Sequence, residues 1–189
     1  MTSGLINLGG GNDTLTLGTF VNTVSASNVE TLTGGASSDT VTLTTQATSA
    51  TIDLDAGNDK LILGNFANSA TLANVETVTG GSAADTITLT GALTTGMAVD
   101  LGAGQDKLTL ANLANTGTLG NVETVIGGTA ADAITLSAIV SNGSVDLGTG
   151  SDTLTLGDFA NTVSVANVET LAGGSGADTV TLGAAASNA

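Results

Sequence analysis

Eight aspartates, Asp13, Asp39, Asp59, Asp85, Asp106, Asp132, Asp152 and Asp178, close short glycine-containing stretches and run directly into alternating threonine and aliphatic residues. The fullest version is Gly173-Gly174-Ser175-Gly176-Ala177-Asp178-Thr179-Val180-Thr181. Glycines allow backbone conformations that a side chain opposes, so main-chain carbonyls can be aimed inward beside the carboxylate. Carboxylate and carbonyl oxygens are hard ligands, and a cage of them suits Ca2+. Other chemistry is poorly supplied. There is no His and no Cys, and the carboxylates recur identically instead of forming one asymmetric cluster, which argues against an enzyme. A nucleotide loop would need a helix after its glycines, and strand-type sequence follows these. Nucleic acid is a poor partner for a formal net charge of -15 with Lys60 and Lys107 as the only basic residues.

The elements that must position these aspartates repeat with them. Asp13, Asp59, Asp106 and Asp152 are 46 or 47 residues apart, a second Asp follows each after 26, and Asn-Val-Glu-Thr recurs from Asn28, Asn74, Asn121 and Asn167. Self-similarity at a fixed period marks a solenoid or array. The reading is one domain, 1–189, of four repeats of about 46 residues, approximately 4–50, 51–97, 98–143 and 144–189. Each repeat holds two related halves, and half a repeat predicts a coil of ~23 residues and about eight coils. After every Asp the sequence alternates with period two, as in Asp13-Thr14-Leu15-Thr16-Leu17 and Asp85-Thr86-Ile87-Thr88-Leu89, which places aliphatic residues inward and threonine outward. β-branched residues fit such a pleated surface. With 2% aromatics the core must be thin and aliphatic. The fold expected is all-β, a right-handed parallel β-solenoid.

Coils in register would bring the eight aspartates into one column along one edge. Two unit charges at ~4.8 Å repel by about 0.9 kcal/mol in water and by more where the surroundings are less polar. Calcium in the seven gaps would turn that repulsion into cross-links, and its +14 nearly matches the formal -15. A second acidic column is expected where Asn7, Asp53, Asp100 and Asp146 take the place of Glu30, Glu76, Glu123 and Glu169, either as solvated charge that discourages aggregation or as a further cation site. Phe20, Phe66, Leu113 and Phe159 each stand two residues before Asn22, Asn68, Asn115 or Asn161, which suggests a corner held by apolar packing and an Asn ladder.

The stretch Gly173 to Thr181 resembles the RTX (repeats-in-toxin) nonapeptide, glycine-glycine-x-glycine-x-aspartate-x-apolar-x. The resemblance implies an RTX-like β-roll that binds Ca2+ through the eight turn aspartates and the backbone carbonyls of the adjoining glycine turns, and that folds when calcium arrives. The other seven turns match in part. Leu8, Leu54, Leu101 and Leu147 stand where the first glycine belongs, Asp55 where the next does, and Ser37, Ala83 and Ala130 where the last does. A left-handed backbone at those last three would cost about 1 kcal/mol, so the turns are expected to relax to another shape. RTX motifs follow one another at nine residues, two turns per coil, whereas these lie 20, 21 or 26 apart.

The resemblance also implies an extracellular or cell-surface location, with no N-terminal signal peptide visible at Met1-Thr2-Ser3-Gly4. No apolar run approaches the ~18 residues of a membrane helix, so no membrane insertion is expected. The role expected is structural, with the chain as its own partner: a whole number of repeats, closing at Asn188-Ala189, favours head-to-tail contacts that build a filament, matrix or surface layer. One alternative is a spacer segment of a larger RTX adhesin or toxin. Another is an ice-binding face built from the pairs Thr14/Thr16, Thr40/Thr42, Thr86/Thr88, Thr153/Thr155 and Thr179/Thr181.

Overall fold

Period-two alternation becomes twenty short strands in the computed structural model, which describes residues 2–183; the expected closing pair Asn188-Ala189 lies outside the described residues. β1 (Thr2–Asn7) is followed by β2 (Thr14–Thr16), β3 (Thr23–Ser27), β4 (Thr31–Gly35), β5 (Thr40–Leu43) and β6 (Ala50–Asp55), and the series ends with β19 (Thr170–Ala172) and β20 (Thr179–Leu182). Odd-numbered strands stack in one ten-stranded sheet and even-numbered strands in the other. Every pairing is parallel, as in β3 with β5 and β4 with β6. The chain is therefore an all-β parallel solenoid whose coil is two strands and two corners, with no helix among the described residues.

Alternation explains where the core lies. Leu15, Leu32, Ile52 and Leu72 register across one sheet, and Val24, Val41, Leu61 and Val78 across the other. The inward columns of both sheets form one aliphatic cluster. Each such side chain contributes roughly 1.5–3 kcal/mol by leaving water. Threonines register on the outside, Thr14 beside Thr31, Thr51 and Thr71.

The coil is shorter than half a repeat. Equivalent residues in neighbouring coils are 17 apart from Asn22 to Asp39 and 20 or 21 apart from Asp39 to Asp59 and from Asp85 to Asp106. The longer coils take their extra residues in the loop between β5 and β6 and its counterparts. The twenty strands, two to a coil, wind nine to ten coils, and each repeat supplies five strands, or two and a half coils. Successive repeats consequently alternate between the sheets: Thr14 starts a strand of the even sheet, Lys60 one of the odd sheet, Lys107 of the even and Thr153 of the odd.

Candidate metal centre

Where the residue just before a strand is Asn, Asp or Glu, its N–H meets the side chain of its counterpart in the next coil. Along one edge of the solenoid, the Asn22 N–H donates to Asp39 Oδ1 (2.8 Å), the Asp39 N–H to Asp59 Oδ1 (2.6 Å) and the Asp59 N–H to Glu76 Oε2 (2.7 Å). Asn68, Asp85, Asp106 and Glu123 repeat this series on the opposite edge at 2.9, 2.6 and 2.9 Å. Asn115, Asp132, Asp152 and Glu169 form it again on the first edge at 2.9, 2.7 and 2.7 Å. The second edge carries two shorter pieces, Asp13 with Glu30 (2.8 Å) and Asn161 with Asp178 (3.0 Å). The eight aspartates thus do not share one column. Two and a half coils per repeat divide them between two edges, as adjacent pairs Asp39/Asp59, Asp85/Asp106 and Asp132/Asp152 with Asp13 and Asp178 at the ends.

Local sequence builds this ladder. In each Asn-Val-Glu-Thr the asparagine takes the left-handed backbone (φ 51 to 56°), the valine turns inward, and the glutamate lies over an aspartate of the preceding coil. Asparagine enters that conformation more readily than most residues. Asn22, Asn68, Asn115 and Asn161 are buried, and each Nδ2 holds two carbonyls of its own turn and the Oδ1 of the next coil's aspartate. These asparagines bond to aspartates and not to one another. Phe20, Phe66, Leu113 and Phe159 lie outside the aliphatic core: Phe20 is 76% exposed, while Phe66 and Phe159 are 43% exposed with their rings against Gly64 and Gly157 of the same corner.

The second acidic column also differs from expectation. The glutamates belong to the ladder, three residues ahead of the register of Asp53, which pairs with Thr33. Asp53, Asp100 and Asp146 each accept the N–H two residues on (3.0, 3.0 and 3.1 Å) and the Nδ2 of Asn74, Asn121 or Asn167 (2.7 Å). Asn7 does the same with Gly9 and Asn28. The partly matching turns need no left-handed backbone at Ser37, Ala83 or Ala130, none of which has a positive φ. Gly176, in the complete motif, has none either; a side chain there would collide with the Phe159 carbonyl of the neighbouring coil. Leu54, Leu101 and Leu147, in the first-glycine place, are fully buried core residues.

Electrostatically the ladder is unfinished. Asp59, Asp85 and Asp106 have no exposed surface, and Asp39, Asp132 and Asp152 almost none. One oxygen of each takes an amide, while Oδ2 of Asp13, Asp59, Asp85, Asp106, Asp132 and Asp152 is buried with no partner. Burial pushes the Asp106 carboxyl up to about 6, helped by the charges of Asp85, Glu123 and Asp100 and opposed by the Asp85 N–H. Asp59 and Asp152 are raised for the same leading reason. An ionised oxygen held away from water without a donor is costly, so these sites call for a cation or a proton. Ca2+ fits the donors, hard anionic oxygens paired on consecutive coils. Carboxylates alone do not complete a site, since no group of three or more acidic, His or Cys residues converges among the described residues. The six to eight oxygens that calcium takes would include main-chain carbonyls or water.

The family model of the RTX calcium-binding nonapeptide repeat (4 copies) matches the chain at residues 5–24 and 166–186. No curated protein and no solved structure matches it. The matched segments contain Asp13 with Asn22, and Glu169 with Asp178. Together with the parallel solenoid they fit an RTX-type repeat protein, and such repeats imply Ca2+ binding. An RTX solenoid is a structural, non-catalytic kind of fold.

Sequence reasoning missed Asn22, Glu30 and their counterparts as members of the ladder. Their signal is present: Asn22-Thr23-Val24-Ser25, Glu30-Thr31-Leu32-Thr33 and Asp39-Thr40-Val41-Thr42 share one pattern, an amide or acid followed by Thr-aliphatic-Ser/Thr.

Proposed function

We propose that this chain is a calcium-stiffened structural solenoid of the cell exterior or surface, built head to tail into a filament, matrix or surface layer. The calcium part is carried by one observation, the six buried aspartate oxygens that no donor satisfies. The ligands are Asp13, Asp39, Asp59, Asp85, Asp106, Asp132, Asp152 and Asp178, with carbonyls of the adjoining glycine turns. Bound calcium supplies positive charge between carboxylates of neighbouring coils. In Asp59, Asp85, Asp106, Asp132 and Asp152 the ladder holds Oδ1 and leaves Oδ2 for the ion, whereas Asp39 Oδ2 already takes the Gly35 N–H (3.3 Å). Because the pairs arise only when coils stack, ion binding and folding are one event.

An exterior location suits an ion plentiful outside cells, and secretion is typical of RTX repeat proteins. No helix of the described residues is long and apolar enough to cross a membrane. Assembly draws on the first and last strands, whose outer edges have no partner strand among the described residues and where the inward-facing Leu182 is 71% exposed; unpaired edges are templates for another chain. In a longer polypeptide the same edges would be continued covalently, and the chain would serve as a spacer. Ice binding is the reading favoured by the registered threonines, but Lys60, Lys107, Asp53 and Asp146 interrupt their columns.

Circular dichroism in calcium and in chelator, with electron microscopy of the calcium-loaded protein, tests the proposal. Loss of β-signal on chelation and rods longer than one chain are expected. An unchanged spectrum with no bound calcium sinks the ionic part, and monomers at high concentration sink the assembly. Thermal hysteresis would instead favour ice.

A further inference from the structure

We infer that Asn142–Gly143 is a self-modification site that the fold holds shut: its side-chain amide is lost to attack by the chain's own backbone once the coils open, and the chain then cannot close again. It is the one Asn-Gly pair in the sequence. Glycine leaves the attacking amide uncrowded. Here glycine is obligatory, because a Cβ on Gly143 would collide with Val140 Cγ1 and crowd the Glu123 carbonyl. Ala47 and Leu93 hold the place of Val140 in the first two repeats, each donating its N–H to the next coil's asparagine as Val140 does to Asn161. Those loops carry Ser49-Ala50 and Gly96-Met97 in place of Asn142-Gly143, and neither pair has an amide to lose. The other left-handed asparagines, Asn28, Asn74, Asn121 and Asn167, are each followed by valine and give Nδ2 to Asn7, Asp53, Asp100 or Asp146. Asn142 is exposed, and its side chain has no partner among the described residues.

The latch is the backbone. Asn142 stands in the left-handed region (φ 58°). There ψ is about +47°, which places the Gly143 nitrogen nearly opposite Asn142 Cβ, whereas ring closure requires the two on one side. β16 (Ser141–Gly148) skips this residue in pairing with β18 (Thr162–Ala166), setting Ser141 with Thr162 and Gly143 with Val163. Rotation is resisted on both flanks, since the Val140 carbonyl accepts the Thr162 N–H (2.8 Å) and the Ser144 N–H donates to the Glu123 carbonyl (2.7 Å). Opening those coils frees ψ. Hydroxide then takes the Gly143 amide proton, the nitrogen attacks Asn142 Cγ, the Cγ–Nδ2 bond breaks, and ammonia leaves with a proton from water, which regenerates the hydroxide. Water opens the resulting succinimide at either carbonyl to give aspartate or isoaspartate. Isoaspartate puts one more methylene group into the main chain between two anchored residues. The packing of Gly143 against Val140 leaves it no room, so a chain left open long enough loses the ability to fold.

That calcium keeps these coils closed rests on the reading above; the site and its latch do not. The whole chain is held in mildly alkaline buffer with calcium, with chelator or with urea, then digested, and the peptide containing Asn142 is separated and weighed. Two products, each one mass unit heavier, are expected in urea and in chelator, and at least about tenfold more slowly in calcium, where only local opening exposes the site. Protection in chelator equal to that in calcium, and lost in urea, overturns the calcium reading and upholds the latch. Equal rates in urea and in calcium, with circular dichroism showing the calcium sample folded, overturn the latch. Conversion at Asn28 or Asn74 as fast as at Asn142 overturns the site. Chains aged in urea and returned to calcium should recover less β-signal the more isoaspartate they hold. Asn142→Gln, whose longer side chain does not close the same ring, should recover as well after ageing as its own fresh sample does. Equal recovery of the two aged chains overturns the loss of folding.

Discussion

Asp106 and Asp100 lie six residues apart and lead opposite lives. Asp106 is wholly buried, gives one oxygen to the Asp85 amide, leaves the other without a donor and holds its proton up to about pH 6. Asp100 is exposed, and its Oδ1 takes both the Gly102 N–H and the Asn121 side-chain amide. One aspartate creates a demand for positive charge; the other braces a bend and needs nothing more. Burial without a donor, and not acidity or repetition, separates the two columns.

Removing calcium should draw the sharpest line between them. In excess chelator the ladder's carboxylates face one another unshielded, and loss of most β-structure by circular dichroism is expected; a chain that keeps its spectrum and its unfolding midpoint would abolish the distinction. Next in size are substitutions at Asp106. Asp106→Ala leaves the buried Asp85 N–H without an acceptor and should cost about 1–3 kcal/mol in calcium, beyond the loss of the ligand itself. Asp106→Asn keeps an acceptor but removes the buried charge, so circular dichroism should show more β-structure surviving in chelator and a smaller gain on adding calcium. Equal losses for both variants would mean that the oxygen's charge is irrelevant.

Acidity should have a milder effect. The folded Asp106 carboxyl titrates near 6 and its unfolded counterpart near 3.8, so the folded chain binds more protons between those values. Its contribution is complete below about pH 4 and is lost as pH rises through about 6, about 2–3 kcal/mol in all. Asp59 and Asp152 add in the same direction. Circular dichroism in chelator from pH 7 down to pH 4 would check this: β-signal is expected to return as these carboxyls take up protons, and a signal that falls further on acidification would contradict it. Asp100→Asn should change stability least, by no more than about 0.5 kcal/mol and equally at all pH values. A loss as large as that of Asp106→Ala would put both columns in one class.

Much of the fold was legible because alternation is a strong signal: Thr14-Leu15-Thr16 and Thr86-Ile87-Thr88 are strands, and the glycine-aspartate turns precede them. Coil length was hidden because the glycine turns advertise two halves per repeat, while strands such as Thr23–Ser27 and Thr162–Ala166 follow corners with no full glycine turn. Counting five alternating segments, an odd number, would have forced the half-integer winding. The ladder was only half legible, since at a corner the oxygen of Asn, Asp or Glu can equally accept a neighbour's N–H, and residue class conceals that equivalence. The outward Phe20 followed from nothing in its own character. Its direction is set by Asn22, which grips the Gly18 and Phe20 carbonyls and turns the backbone so that the ring faces water.

Half-integer winding reaches beyond this chain's own length. Duplicating one repeat rotates everything downstream by half a revolution, so any feature fixed in an ancestral unit reappears on alternate flanks. A rod grown this way has neither front nor back. Whatever decorates it falls in equal measure on two opposite flanks.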